Sequence, residues 1–421
     1  MAKRLSIRQW IALKLFKKLH KIRAKEHTLT TLFWECTLRC NLKCRHCGSD
    51  CTVNPEFKDM PAEDFFRVLD NEITPNVNPN KTFIILSGGE VLVRKDLEQI
   101  GINLYRRGYP WGMVTNGLAL SRERLDSLIR AGLHSITVSL DGFEEHHYHI
   151  RQNKESFTCA VEAVRMISAD RELVSDVVTC VTPALLPRLE EFKEFLISLG
   201  VRKWRLFAIF PVGRAAQDKT LQLSDEEYTS MMEFILKTRK EGRIAASYSC
   251  EGFLGGYEMR VRTNPYECYA GIGIASIRVN GDISGCTSVR ANFTQGNIYR
   301  DSFWNVWQNR FEKFRNREWT KKGKCADCKM WQYCEGSGMH LYDDNGNLQY
   351  CSANSGLCVT ITTNRSLDIS LSNSITCTEV SVSRAPVGSS ASTISGLLTI
   401  ALAIATLCIC PPDISFGFLC N

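Results

Sequence analysis

Between Thr31 and about Ala215 the chain alternates short apolar runs with stretches of helical periodicity, and this alternation limits the fold more than any other feature. The apolar runs are Thr31–Cys36, Phe83–Leu86, Trp111–Thr115, Ser135–Leu140, Val174–Val181 and Trp204–Phe210. Helical patterns fill the intervals over Pro61–Asn71, Leu97–Arg107, Arg122–Ala131, Phe157–Ser168 and Leu189–Leu199. A strand followed by a helix, repeated, requires parallel pairing with crossovers. Six strands predict an α/β fold, a partial (β/α)6 TIM-like barrel rather than a closed eight-stranded one. In such barrels the reacting groups gather on the loops that follow the strands.

The length of 421 residues leaves room for a smaller domain beside the barrel. The reading divides the chain into a basic amphipathic helix at 1–27, the barrel at 31–215, a connecting helical region at 216–267, a cysteine-rich domain at 268–351 and a tail at 352–421. In the tail the composition turns to serine, threonine and isoleucine, with Arg365, Asp368, Glu379, Arg384 and Asp413 its charges. Its apolar run, Ile394–Cys410, sits at the lower limit for a membrane span and lacks the flanking lysines and aromatics that anchor one. An anomalous or disordered tail is the favoured reading, with a carboxy-terminal anchor or a shifted reading frame as alternatives.

The formal net charge of +7 invites a nucleic-acid partner, but its distribution argues against one. Residues 1–27 hold nine lysines and arginines against Glu26, so the remainder is close to neutral. Within that segment Ile11, Leu15, Leu19 and Ile22 form a helical stripe among basic residues. Such a helix either lies on an anionic membrane surface, with Trp10 at the interface, or packs on the body as a first helix. The segment lacks an uninterrupted apolar h-region and a small-residue cleavage site, so a cytoplasmic location is expected, with peripheral contact at the inner membrane face left open. Nineteen cysteines in tight clusters within a long chain point to metal ligation rather than a disulfide framework.

The first such cluster is Cys40, Cys44 and Cys47, a C-x3-C-x2-C loop directly after the Thr31–Cys36 strand. Three thiolates on one short loop ligate three irons of a 4Fe-4S cube and leave the fourth open to a small chelating molecule. Adding Cys36 would instead make a closed tetrahedral zinc site. Later strands end in Ser87-Gly88-Gly89-Glu90, Thr115-Asn116-Gly117 and Ser139-Leu140-Asp141-Gly142. Each alone reads as an ordinary turn, and their succession raises their weight. Arg151 follows in a loop dense with His146, His147 and His149, and Val212-Gly213-Arg214-Ala215 follows the last strand. In the cysteine-rich region Cys268, Gly281 and Cys286 precede Cys325-x2-Cys328-x5-Cys334 and a distal Cys351, a pattern that a zinc ribbon also shares.

The cluster loop and the strand ends resemble the radical S-adenosylmethionine (SAM) superfamily, although His46 fills a position that is often aromatic there and Val91 one that is often proline. The resemblance implies that Gly88, Gly89 and Glu90 receive the methionine ammonium of SAM, with glycine letting the backbone approach the ligand. It also implies that Asn116, Ser139 and Asp141 contact ribose and carboxylate or brace the site, and that Arg151 neutralises a carboxylate. The cysteine-rich region resembles the SPASM domain, an auxiliary iron-sulfur extension. Cys325, Cys328, Cys334 and Cys351 would hold the outer cluster. Cys268 and Cys286 would belong to an inner one, but Gly338 stands where its further cysteine is expected; Cys250 is a candidate replacement. The implied function is reductive cleavage of SAM to a 5'-deoxyadenosyl radical that abstracts hydrogen from a peptide or protein. Implied partners are that substrate, a co-encoded lipoprotein as in the bacterial subgroup the chain most resembles, and an electron donor such as flavodoxin or ferredoxin. A small-metabolite substrate, or a non-catalytic metal-bearing module that binds peptide, is the alternative.

Overall fold

The computed structural model describes residues 7–249 and 252–351. The tail at 352–421, with its run at 394–410, and Cys250 lie outside the described residues. The six expected strands form as β1 (Thr31–Thr37), β2 (Phe83–Gly88), β3 (Trp111–Thr115), β4 (Leu133–Ser139), β5 (Val174–Val181) and β6 (Lys203–Ala208). They pair in parallel and in chain order, with helices α2 (Ala62–Val68), α3 (Leu97–Arg106), α4 (Arg122–Arg130), α5 (Glu144–Arg151), α6 (Ser156–Ala169) and α7 (Leu189–Ser198) between them. Register makes one face of the sheet largely apolar. Leu32, Trp34 and Cys36 of β1 join Ile84 and Leu86 of β2 in the main core, and Trp34 stacks on Phe65 of α2 at 4.1 Å. The alternate residues Phe33 and Glu35 therefore point to the opposite face, away from the helices.

The sheet is longer than the sequence suggests. The connecting region holds α8 (Asp225–Glu241), closed by a Ser224/Glu227 capping box and by Gly242 at φ 72°, and then β7 (Ala245–Tyr248), which pairs in parallel with β6. The cysteine-rich region supplies β8 (Ile274–Ile277), parallel to the other edge of β1, followed by β9 (Asp282–Ser284) and β10 (Gly296–Asn297) in antiparallel pairing. All ten strands form one sheet, in the order β10-β9-β8-β1-β2-β3-β4-β5-β6-β7. A run of four residues between glycines carries too little periodicity to be recognised as a strand. Its pairing with β1, far away in the chain, makes it one.

Two expectations need correction. The histidine-rich segment is the helix α5 rather than a loop: His147 is fully buried and Arg151 is 8% exposed, while His149 is exposed. The amino-terminal helix α1 (Ile7–Glu26) docks through a face other than the apolar stripe. Gln9 donates to the carbonyls of Gly256 and Glu258, Leu13 is buried with Phe253, Tyr266 and Met330, and His20 and Arg23 bind Glu267. Burying Leu13 is worth about 2 kcal/mol. On the helical wheel Ile11 and Ile22 lie opposite this contact, and Ile11 is 42% exposed. Among the described residues, no helix is long and apolar enough to cross a membrane.

Candidate active site and iron-sulfur sites

The loop after β1 is held by backbone contacts from three directions. The Cys40 amide donates to the Thr52 carbonyl at 2.8 Å, and the Arg45 amide to the carbonyl of Ile150 in α5 at 2.8 Å. After β6, the Arg214 amide donates to the Cys47 carbonyl at 3.1 Å, and its guanidinium to the carbonyls of Cys44 and Cys51 at 2.8 and 3.1 Å. A Cβ at Gly213 would lie 2.5 Å from the Cys47 carbonyl oxygen, so only glycine allows this approach. The Val212–Ala215 element thus grips the cysteine loop.

Each of the three sulfurs meets a donor or a cation. The Asn116 amide lies 4.0 Å from Cys40 Sγ, and Arg151 Nη1 lies 3.6 Å from Cys44 Sγ. Cys47 takes a hydrogen bond from the Cys51 thiol, which lowers its pKa and raises that of Cys51. Burial pushes Cys40 up to about 12 and raises Cys44, against the opposing pull of Arg151. Ligating iron therefore releases protons from these two thiols. These donors suit the anionic sulfurs of a thiolate-held cluster. The zinc alternative is not assembled: Cys36 lies in the core beneath the helices and donates toward the Ser87 carbonyl at 3.6 Å. Among the described residues, His46, Asp141 and Cys180 form the group whose ligand atoms lie within 4.8 Å of one another. The three loop cysteines are not gathered around one point in that way.

The Gly-Gly-Glu turn has a structural use that the sequence did not show. A Cβ on Gly88 would lie 2.0 Å from the Thr37 carbonyl oxygen, and one on Gly89 2.1 Å from that of Arg39. The chain's own cysteine loop makes the close approach, with the Gly89 and Glu90 amides donating to those carbonyls at 2.8 and 2.9 Å. The Glu90 carboxylate is buried and accepts from the Thr115 hydroxyl at 2.7 Å and from the amides of Asn116 and Leu92 at 2.7 and 3.1 Å. Burial raises its pKa against those three bonds. It ties the end of β2 to the end of β3. Asn116 in turn donates to Asn41 in the cysteine loop at 2.8 Å.

Asp141 and Arg151 form a buried ion pair at 2.7 Å. Burial by itself would raise the Asp141 pKa, yet Arg151 holds it below the usual carboxylate range. The Cys180 amide also donates to Asp141, at 2.9 Å, and the Asp141 amide to His147 Nδ1 at 3.1 Å. Arg151 therefore already has a carboxylate partner within the chain, and Asp141 braces it toward Cys44. Ser139, at the end of β4, is half-buried and pairs in register with Val178. Glu90, Asn116, Asp141 and Arg151 thus converge on the cysteine loop.

In the cysteine-rich region burial raises the thiol pKa of Cys325 and Cys334, and Cys351 and Cys328 stand close enough to both to raise them further. Cys334 lies on the short helix α9 (Trp331–Cys334), against the apolar cluster that seats Leu13 of α1. Cys268 and Cys286 form a second group: burial, then Cys268, raises Cys286. The Met339 amide points at Cys268 Sγ from 3.4 Å, which places Gly338 beside Cys268. Arg317, 5% exposed, is hydrogen-bonded to Cys268 and has no carboxylate within salt-bridge distance among the described residues. A buried cation facing a thiol fits an anionic cluster there.

The sequence model of the radical SAM superfamily matches residues 34–199, from β1 through α7 and including the cysteine loop. These residues are a radical SAM domain. A second model, an iron-sulfur cluster-binding domain named SPASM, matches residues 268–329. This radical SAM chain is 26% identical over 332 residues to an AdoMet-dependent heme synthase of Methanosarcina barkeri, covering 75% of this chain and 92% of that protein. It is 27% identical over 312 residues to the mycofactocin maturase MftC of Mycolicibacterium smegmatis, covering 73% and 77%. Streptococcus suis SuiB bound to S-adenosylmethionine shares the fold with a TM-score of 0.59 at 18% identity, covering 76% of each chain. The structure of anSMEcpe with bound AdoMet does so at 0.61 and 16%, covering 78% of this chain and 95% of that one. The radical SAM chain is an enzyme of the iron-sulfur and SAM-dependent type, with auxiliary iron-sulfur ligation in its SPASM domain.

The sequence reading missed several neighbours of this site: Cys51 beside Cys47, His46 beside Asp141, and Arg317 beside Cys268. Cys51 repeats the x3 spacing after Cys47 and so left a trace in the sequence. The others are contacts between distant segments.

Proposed function

We propose that this enzyme cleaves SAM reductively at a 4Fe-4S cluster on Cys40, Cys44 and Cys47 and uses the resulting 5'-deoxyadenosyl radical to abstract hydrogen from a peptide or small protein. The cluster supplies one low-potential electron to the sulfonium. The chain's own residues do the rest. Gly88, Gly89 and Glu90 set the floor of the SAM site against the cysteine loop, Asn116 and Ser139 offer polar contacts beside it, and the Asp141–Arg151 pair keeps a cation next to Cys44. The outer auxiliary cluster belongs to Cys325, Cys328, Cys334 and Cys351.

One observation carries the peptide reading. On the sheet face away from the helices, Ser87 of β2 pairs with Glu35 of β1, and Ser276 of β8 pairs with Ser284 of β9 and with Phe33, two residues before Glu35. Each of these serines, and Glu35, has a buried side-chain oxygen without a hydrogen-bond partner. Glu35 Oε2 lies 2.7 Å from Arg290 Nη1 but without hydrogen-bond alignment. Unpaired hydroxyls on either side of an ion-paired carboxylate suit a ligand that brings donors and acceptors, as a peptide backbone does. The likeness to MftC, named a maturase, and to SuiB, which has been solved bound to the precursor peptide SuiA, supports this reading. Incubation of the reduced, reconstituted enzyme with SAM and a candidate peptide should give 5'-deoxyadenosine and a mass change in the peptide. Nucleoside release without any peptide change would count against it.

A second reading is favoured by the relatives named AdoMet-dependent heme synthase and Fe-coproporphyrin III synthase. It gives the enzyme a tetrapyrrole substrate. Replacing the peptide with an iron porphyrin in the same assay separates the two readings by which compound changes mass. The proposed electron donor is a flavodoxin or ferredoxin, and a co-encoded lipoprotein is the proposed source of the peptide. The exposed Ile11 and the lysines of α1 support contact with the inner membrane face. Replacing Lys14, Lys17, Lys18 and Lys21 by glutamate should then abolish binding to anionic liposomes.

A further inference from the structure

Gly338 stands where the SPASM resemblance expects a further thiolate, and the space a side chain would take there is occupied. A Cβ at Gly338 would lie 2.5 Å from Cε1 and 2.7 Å from Nδ1 of His340, and 3.1 Å from the Tyr266 hydroxyl. The histidine ring thus stands where a cysteine side chain would begin. It is held edge-on to Phe210, with ring centroids 5.7 Å apart, and the short turn Met339–Leu341 carries it back past Gly338. Neither ring nitrogen of His340 makes a hydrogen bond among the described residues.

Three further features surround this ring. The Met339 amide, between Gly338 and His340, points at Cys268 Sγ from 3.4 Å. The Tyr266 hydroxyl is buried and has no hydrogen-bond partner. Arg317 is buried beside Cys268, with a guanidinium Nε that is also unpaired. A buried cation, an orphaned hydroxyl and an imidazole gathered beside Cys268 make up a set of polar groups that an anionic centre would satisfy. Imidazole is an accepted substitute for thiolate on iron-sulfur clusters.

We infer that His340 takes the place of the missing thiolate and, with Cys268 and Cys286, holds the inner auxiliary iron-sulfur cluster. This goes beyond the proposed reaction and stands whichever substrate the enzyme uses. The cysteine-to-glycine change at 338 and the histidine two residues later form one compensating unit, because both side chains cannot occupy the same space.

The test uses the full chain, reconstituted anaerobically, reduced and free of SAM. Iron and sulfide are counted in the wild type, His340→Ala and His340→Cys, and pulsed electron paramagnetic resonance reads nitrogen coupling in protein labelled with 15N-histidine. His340→Ala should lose one cluster's complement, about four irons per chain, and His340→Cys should keep it. The double change Gly338→Cys with His340→Ala, which clears the ring and restores the thiolate, should also keep it. The histidine nitrogen coupling seen in the wild type should vanish in His340→Cys. Should His340→Ala misfold, the coupling in wild type and its loss in His340→Cys still decide the matter. Unchanged iron in a folded His340→Ala overturns the inference and gives the place to another donor, Cys250 among them. Absence of histidine coupling in the wild type, or its survival in His340→Cys, overturns it as well.

Discussion

The cysteine loop after β1 and the cysteine-rich region after β7 both gather thiols, but they are built differently. The loop is braced by other strand ends: Glu90 and Asn116 from β2 and β3, Asp141 from β4, and Arg214 from beyond β6. The later region sends β8 to β10 into the same sheet, but around Cys334 and Gly338 it leans on α1, on short turns and on one buried arginine. In the first, each ligand position is fixed by several strands at once. In the second, a ligand can change while the local packing adapts, as Gly338 and His340 illustrate. A site at the strand ends of a sheet inherits the rigidity of the sheet, and a site made of turns does not.

Replacing Cys40, Cys44 and Cys47 together by alanine should have the largest effect. Formation of 5'-deoxyadenosine should fall to background, while iron drops by only about four per chain, with the auxiliary ligands intact. Loss of all iron would show that the two regions are assembled together rather than separately.

Arg151→Met leaves Asp141 buried and unpaired and should cost about 3–5 kcal/mol in denaturant unfolding. Arg317→Met leaves no carboxylate behind and should cost about 1–3 kcal/mol. Equal costs would remove the proposed difference in bracing. Gly89→Ala places a methyl group against the Arg39 carbonyl and should cost about 1–3 kcal/mol, with a weaker hold on SAM measured by equilibrium binding.

The smallest effect concerns the clamp of α1. Contacts with Glu267 and Glu335 raise His20 to about 9 despite burial, above its ordinary value of 6.5. A raised histidine pKa stabilises the fold fully below pH 6.5, and that contribution fades as pH climbs through about 9. Thermal melts should show His20→Gln to be less stable by on the order of 1–2 kcal/mol near pH 6, with the gap closing toward pH 10. A gap that does not depend on pH would show that α1 is held by Leu13 and Gln9 alone.

Much of this was legible in the residues before any contact was known. The six parallel strands follow from alternating apolar and helical patterns, and their bounds shifted by only a residue or a few. The C-x3-C-x2-C spacing is a local signal of the same kind. The burial of His147 and Arg151 in α5 was not legible. A segment rich in histidine and glutamate reads as solvated until Asp141 and Cys44 are placed against it. The face on which α1 docks was hidden for a related reason: the conspicuous stripe of Ile11, Leu15, Leu19 and Ile22 is not the face that packs. Gln9, His20 and Arg23 make that contact through polar atoms, which periodicity in hydrophobicity does not register.

By itself the sequence determined the α/β class, the order of the strands and which cysteines share a loop, because these depend on spacings of a few residues. Tertiary structure alone decided that β8 would lie against β1, that Gly88 and Gly89 would meet the cysteine loop, and that His340 would fill the space at Gly338. Those outcomes depend on surfaces meeting across tens to hundreds of residues, where burial and hydrogen bonding choose the partner and no local pattern names it.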